Sequence, residues 1–134
     1  MTDRELMERA VLARKNAYAP YSGFKVGAAL LGVSGKVYTG CNVENAAYTP
    51  TNCAERTAVF KAVSEGEREF TAIAIVGGKG EEIAPFCAPC GICRQVLAEF
   101  CEKDFKILLG TPENFKGYTL EELLPFSFGK SDLT

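Results

Sequence analysis

Two cysteine-bearing segments, TNCAERTAVF (51–60) and CAPCGICRQVLAEF (87–100), each read as the opening of a helix, and the apolar, β-prone run FTAIAIVG (70–77) lies between them. Such alternation of helix and strand builds strand–helix–strand units, and each needs a right-handed crossover, which places helices against the faces of a sheet. The rest of the chain fits that frame. Thr2 with Glu5 forms a capping-box pattern ahead of Leu6, Ala10, Val11 and Ala17, predicting a first helix over 3–17, which AYAPYSGF then breaks. KVGAALLGV and KVYTGCNVE read as an antiparallel hairpin joined around Ser34-Gly35. A helix is expected from Thr51 or Asn52 to Gly66, a strand over 70–77, a helix over 90–103 and the strand FKILLG over 105–110, with Thr119 capping a short last helix. The order α-β-β-α-β-α-β-α predicts the α/β class: a three-layer α/β/α mixed sheet of about five strands.

Composition narrows the function. At 134 residues and 47% hydrophobic, the chain suffices for one well-packed domain, expected over residues 1–134. Fifteen basic against 17 acidic residues give a net charge of −2, without the positive field that nucleic-acid binding needs, so no nucleic-acid partner is expected. No apolar run approaches the roughly 18 residues that cross a bilayer. MTDRELMERA also lacks the basic-then-apolar order of a signal peptide, so no membrane partner and a cytoplasmic location are expected. In that compartment thiols stay reduced, and the six cysteines (Cys41, Cys53, Cys87, Cys90, Cys93, Cys101) read as ligands, reactive groups or core residues before disulfides.

Cys87, Cys90 and Cys93 stand at three-residue steps, with Pro89 before the expected helix start. Residues three apart share a helix face, so Cys90 and Cys93 can point at one atom. If the two helices leave neighbouring strands in the same direction, their N-termini converge and bring Cys53 to the same point. Helix N-termini favour thiolates, and three thiolates converging there make a zinc site with an open fourth position. Cys41, Cys87 or Cys101 could instead close a four-thiolate structural site. Glu55 argues against that, since at the first turn it can lean over the open position as a general acid/base in a chain with no histidine. Arg56, three residues after Cys53, is expected to donate hydrogen bonds to ligand sulfur and withdraw charge from it, and Arg94 beside Cys93 could share that task. Cys41 and Cys101 read as core residues. Cys87-Ala88-Pro89-Cys90 also spells the C-x-x-C of thioredoxin-like redox proteins, a reading that leaves Cys53, Glu55 and Cys93 without roles.

Cys53-Ala54-Glu55 followed by Pro89-Cys90-Gly91-Ile92-Cys93 resembles the signature of zinc nucleoside deaminases in its three-cysteine form. YSGFKVGAAL (21–30), GCNVENAAY (40–48), CAERTA (53–58) and CGICRQVL (90–97) extend the resemblance to the small homotetrameric cytidine deaminases over most of residues 18–100. The resemblance implies the cytidine deaminase-like fold and one Zn2+ per subunit on Cys53, Cys90 and Cys93, with Glu55 as proton shuttle. The implied reaction is hydrolytic deamination of cytidine and deoxycytidine, with release of ammonia, in pyrimidine salvage. It further implies that Phe24 stacks on the pyrimidine and that Asn42 and Glu44 bind the ribose. Phe126 of the C-terminal tail is implied to complete a neighbouring subunit's site, with Phe128 as the other candidate. Phe24 is placed in a loop after Tyr21-Ser22-Gly23, as a pocket wall. CNVENAAYT (41–49) carries Glu44 and no lysine or arginine, which favours a nucleoside over a phosphorylated substrate. A deaminase of a cytosine-containing antibiotic is the closer alternative, and a non-catalytic zinc-binding interaction module the more distant one.

Overall fold

The computed structural model describes residues 1–134. A five-stranded sheet forms its middle layer, in the order β2-β1-β3-β4-β5. Its strands are β1 (Phe24–Gly32), β2 (Val37–Cys41), β3 (Phe70–Lys79), β4 (Lys106–Thr111) and β5 (Asn114–Thr119). Neighbours are antiparallel except for the β3–β4 pair, which is parallel. The helices are α1 (Asp3–Arg14), α2 (Ala54–Ser64), α3 (Gly91–Phe100) and α4 (Leu120–Leu123), and a 3-10 turn spans Lys130–Leu133.

Strand periodicity separates two cores. Ala28, Leu30, Ile73, Ile75, Ile107 and Leu109 face Ala54, Ala58, Val59, Leu97 and Leu120 of α2, α3 and α4. Ala29, Ala72, Ala74, Val76 and Leu108 face Leu6, Met7 and Ala10 of α1. The alternation of side chains along each strand thus supplies both faces of a three-layer fold. The α1 face is dominated by alanine, so that helix lies close against the sheet. A side chain at Gly27 would collide with the backbone of Ala10 and Arg14. At its end, buried Arg14 donates to the carbonyls of Lys25, Gly78, Gly80 and Glu82 at 2.7–2.9 Å, tying β1 to the end of β3 and the loop beyond it.

Several expected boundaries shift for local reasons. The capping box of Thr2 and Glu5 forms, but α1 stops at Arg14. Tyr18 is instead drawn into a bridge with Val43, its N–H donating to Asn42 O at 3.0 Å. Asn52 likewise pairs with Val43 in extended conformation, so Cys53, not Thr51 or Asn52, caps α2. Cys101 turns extended and ends α3 at Phe100, short of Lys103. β5 supplies the strand missing from the expected order. Phe24 is not a loop residue but the first residue of β1, paired with Lys79.

Candidate metal centre and active site

β2 and β3 are not neighbours, contrary to the expected arrangement; both are antiparallel to β1, which lies between them. They therefore run in the same direction, and the helices that follow present their N-termini to one point. Cys53 is the N-cap of α2 and Cys90 the N-cap of α3, both in extended backbone conformation. Cys93 follows one turn into α3, its N–H donating to Cys90 Sγ at 3.4 Å. The Sγ atoms of Cys90 and Cys93 lie 3.4 Å apart and those of Cys53 and Cys90 3.8 Å apart. All three sulfurs fall within 4.8 Å of one another.

Tetrahedral zinc with Zn–S bonds near 2.3 Å needs sulfurs about 3.8 Å apart, close to the spacing present, and soft sulfur donors suit that metal. Cys41, Cys87 and Cys101 stand outside the group. Cys87 packs between Gly77 and the core, where burial pushes its thiol up to about 11, and Cys101 is likewise raised to about 12 by burial. Neither a four-thiolate site nor a Cys87–Cys90 redox pair matches this grouping.

Charge at the centre is organised before any metal binds. The Cys93 thiol beside Cys53, with Arg56 adding to it, lowers Cys53 to about 5, while Cys93 is raised by the same contact and by burial. Metal binding to such thiols requires their thiolate forms and so releases protons. Arg56 Nη2 donates to Cys53 Sγ at 3.3 Å, the contact expected of it. Arg94 takes other partners: its Nε donates to Pro89 O at 2.8 Å and its Nη1 to Leu123 O at 2.6 Å. It braces the turn before Cys90 rather than the sulfurs. Glu55 is only 4% exposed, and burial, aided by the Cys53 charge, pushes its carboxyl up to about 7. A carboxyl poised there can both take and give a proton near neutral pH.

Across the site, Asn42 is buried, its Oδ1 accepting from Val26 N at 2.9 Å and its Nδ2 donating to Phe24 O at 2.8 Å. The Glu44 carboxylate accepts from Tyr21 N at 2.9 Å, from Ser22 N at 3.1 Å and from the Ser22 hydroxyl. These bonds, the hydroxyl's foremost, hold it below the ordinary carboxylate range. Glu44 borders an open cavity of about 380 Å³ with Tyr21, Ser22, Tyr48 and Thr51.

Residues 1–109 match the family described as the cytidine and deoxycytidylate deaminase zinc-binding region. This chain belongs to that family. Its relatives include a cytidine deaminase of Sporosarcina psychrophila, 49% identical over 100% of this chain and 96% of the relative. A cytidine deaminase of Halalkalibacterium halodurans is 50% identical over 98% of each chain. The crystal structure of cytidine deaminase from Burkholderia pseudomallei superposes with a TM-score of 0.88 at 49% identity, covering 96% of this chain and 100% of that one. The α/β fold expected from the sequence is therefore that of the deaminase family, and zinc is the metal its family description carries.

Within this deaminase, the residues expected at the site divide into two groups. Cys53, Cys90, Cys93, Glu55 and Arg56 gather at the helix N-termini, while Phe24, Asn42 and Glu44 are linked through the backbone of residues 21–26. Phe126 belongs to neither: it is fully exposed with φ 52°, and Phe128 is also exposed. Sequence reasoning passed over Ser22, whose hydroxyl meets Glu44, and Arg14, which anchors the loop leading to the second cysteine pair. For Ser22 the adjacent Gly23, at φ 69°, signals a turn that brings its hydroxyl back toward Phe24. Arg14 carries no such signal, standing in a helix with other charged residues.

Proposed function

We propose that this single-domain chain is a zinc-dependent cytidine deaminase, converting cytidine and deoxycytidine to uridine and deoxyuridine with release of ammonia, in pyrimidine salvage. The observation that carries the reading is the convergence of three cysteine sulfurs within 4.8 Å at two helix N-termini, beside the buried carboxyl of Glu55. Cys53, Cys90 and Cys93 would hold one zinc per subunit, a Lewis acid that makes water acidic enough to ionise near neutral pH. Glu55 takes the proton released from that water and delivers it to N3 of the cytosine ring. The water's oxygen adds at C4 as a hydroxyl, and Glu55 then moves that hydroxyl's proton to the amine as the C4–N4 bond breaks, so that cytidine and water become uridine and ammonia. Three thiolates exceed the charge of Zn2+ by one. Arg56 on Cys53 Sγ and the helix N-termini offset that excess.

Phe24 forms the aromatic wall for the base. Asn42 keeps one N–H and one lone pair beyond its bonds to β1 and presents them, with Glu44, to the ribose hydroxyls. The carboxylate of Glu44 repels phosphate, which favours the free nucleoside. Phe126, standing clear of its own chain, completes the site of a neighbouring subunit in a homotetramer, and the enzyme works in the cytoplasm. No helix of the chain is long and apolar enough to cross a membrane.

The test is to follow the ultraviolet change and ammonia release with cytidine, CMP and cytosine, and to sediment the protein. Cytidine should be turned over well ahead of the other two, by a tetramer, and truncation after Leu124 should impair turnover with zinc still bound. Preference for CMP would overturn the nucleoside assignment, and full activity of a monomer would overturn the tail's role.

A further inference from the structure

Ser22 stands where two parts of the proposed substrate wall meet. Its hydroxyl has one hydrogen, directed at Glu44 Oε2, and its lone pairs accept the N–H of Phe24 at 3.0 Å. The other carboxylate oxygen, Oε1, is fixed by the N–H groups of Tyr21 and Ser22 at 2.9 and 3.1 Å. Glu44 is anchored from its own backbone as well, its N–H donating to Tyr18 O at 2.8 Å. Asn42 completes the connection from the other side by bonding Phe24 O. The result is a continuous path from Glu44 through Ser22 to the first residue of β1.

We infer that Ser22 is a positioning residue for substrate recognition: it fixes the rotamer of the Glu44 carboxylate relative to Phe24, so that sugar and base are gripped in one register. The inference rests on the reading of Glu44 as a sugar ligand. A serine hydroxyl is suited to this because it donates to the carboxylate and accepts from the amide at the same time. Without it, Oε2 loses its protein donor and the carboxylate can swing about the bonds to Oε1 into the cavity shared with Tyr48 and Thr51. Because the hydroxyl lies beside the substrate and not beside the sulfurs, its loss should appear in KM far more than in kcat.

A double-mutant cycle with zinc-loaded protein separates positioning from simple structural support. Ser22→Ala should raise KM for cytidine roughly tenfold to a hundredfold, the range for losing a hydrogen bond to a charged group, with kcat, zinc content and melting temperature close to the parent. Ser22→Thr keeps the hydroxyl and should restore the parent KM. In a Glu44→Ala background, adding Ser22→Ala should change KM less than twofold. An equal penalty in both backgrounds, an unchanged KM in Ser22→Ala, or a Thr variant as impaired as the Ala variant would overturn the inference. The reading beneath it fails separately: if Glu44→Ala alone leaves KM for cytidine unchanged, the sugar site lies elsewhere.

Discussion

Cys53 and Cys90 are set by the N-cap positions of two helices, whereas Asn42 and Glu44 are set by hydrogen bonds to the backbone of residues 21–26. The first region owes its geometry to α2 and α3, which the core on their face of the sheet holds independently of the site. The second owes it to the very side chains that would touch substrate. A substitution at the metal end should therefore remove chemistry and leave the fold, while one at Asn42, which also bonds the β1 backbone, should disturb binding and local structure together.

The sharpest separation is expected among the cysteines. Cys53→Ala, Cys90→Ala and Cys93→Ala should each lose zinc and all turnover, while Cys41→Ala, Cys87→Ala and Cys101→Ala keep the metal, as metal analysis of the purified variants would show. Zinc loss in the Cys87 variant equal to that of a triad member would place a fourth thiolate on the ion and break the distinction.

Arg14 belongs to neither end but carries both, joining Lys25 next to Phe24 with the loop that leads to Cys87 and Cys90. It has no acidic partner. Arg14→Met would remove a charged donor from four carbonyls, that of buried Gly78 among them, and denaturant unfolding should show a loss of about 2–4 kcal/mol. A loss below about 0.5 kcal/mol would mean that water replaces the guanidinium.

At the sugar end, Asn42→Ala removes bonds to Val26 N and Phe24 O and should cost about 1–3 kcal/mol of stability. It should also reduce kcat/KM for cytidine roughly tenfold or more, with zinc retained. Reduced activity at unchanged stability would assign Asn42 wholly to the ligand and sharpen the contrast with the cysteines. The smallest effect is expected far from both ends, at Glu67. The hydroxyl and N–H of Ser34, followed by Tyr38, hold its carboxyl below the ordinary value of 4.5. The folded state thus favours the charged form, so its contribution is present above pH 4.5 and is lost as pH falls through the lower folded value. Parent and Glu67→Gln should differ in melting temperature at pH 7 and converge in acid; a constant difference would break the assignment.

The same division governs what could be read from the sequence. Cysteine followed by a helix-forming run states its own geometry, because an N-cap is a local property of consecutive residues, and the capping box of Thr2 and Glu5 was legible for the same reason. Cys53, Cys90 and Cys93 could thus be brought together once the strand directions were inferred, even though β1 intervenes. β5 was missed in the element order because Asn114, Lys116 and Gly117 interrupt any apolar alternation, and only pairing with β4 makes the segment a strand. Ser22 and Arg14 act on residues distant in sequence. Their bonds depend on strand register and on close approach of α1, which no single segment encodes. Phe126 could be named only through resemblance, since its own chain gives it nothing to touch.

The most direct test of the whole account is to compare the parent with Glu55→Gln, measuring bound zinc and ammonia released from cytidine on the same preparations. Both should carry one zinc per chain with the same fold, and the variant should lose turnover by about two to four orders of magnitude because only the proton carrier is gone. Turnover near the parent's in a zinc-loaded Glu55→Gln protein would contradict the account.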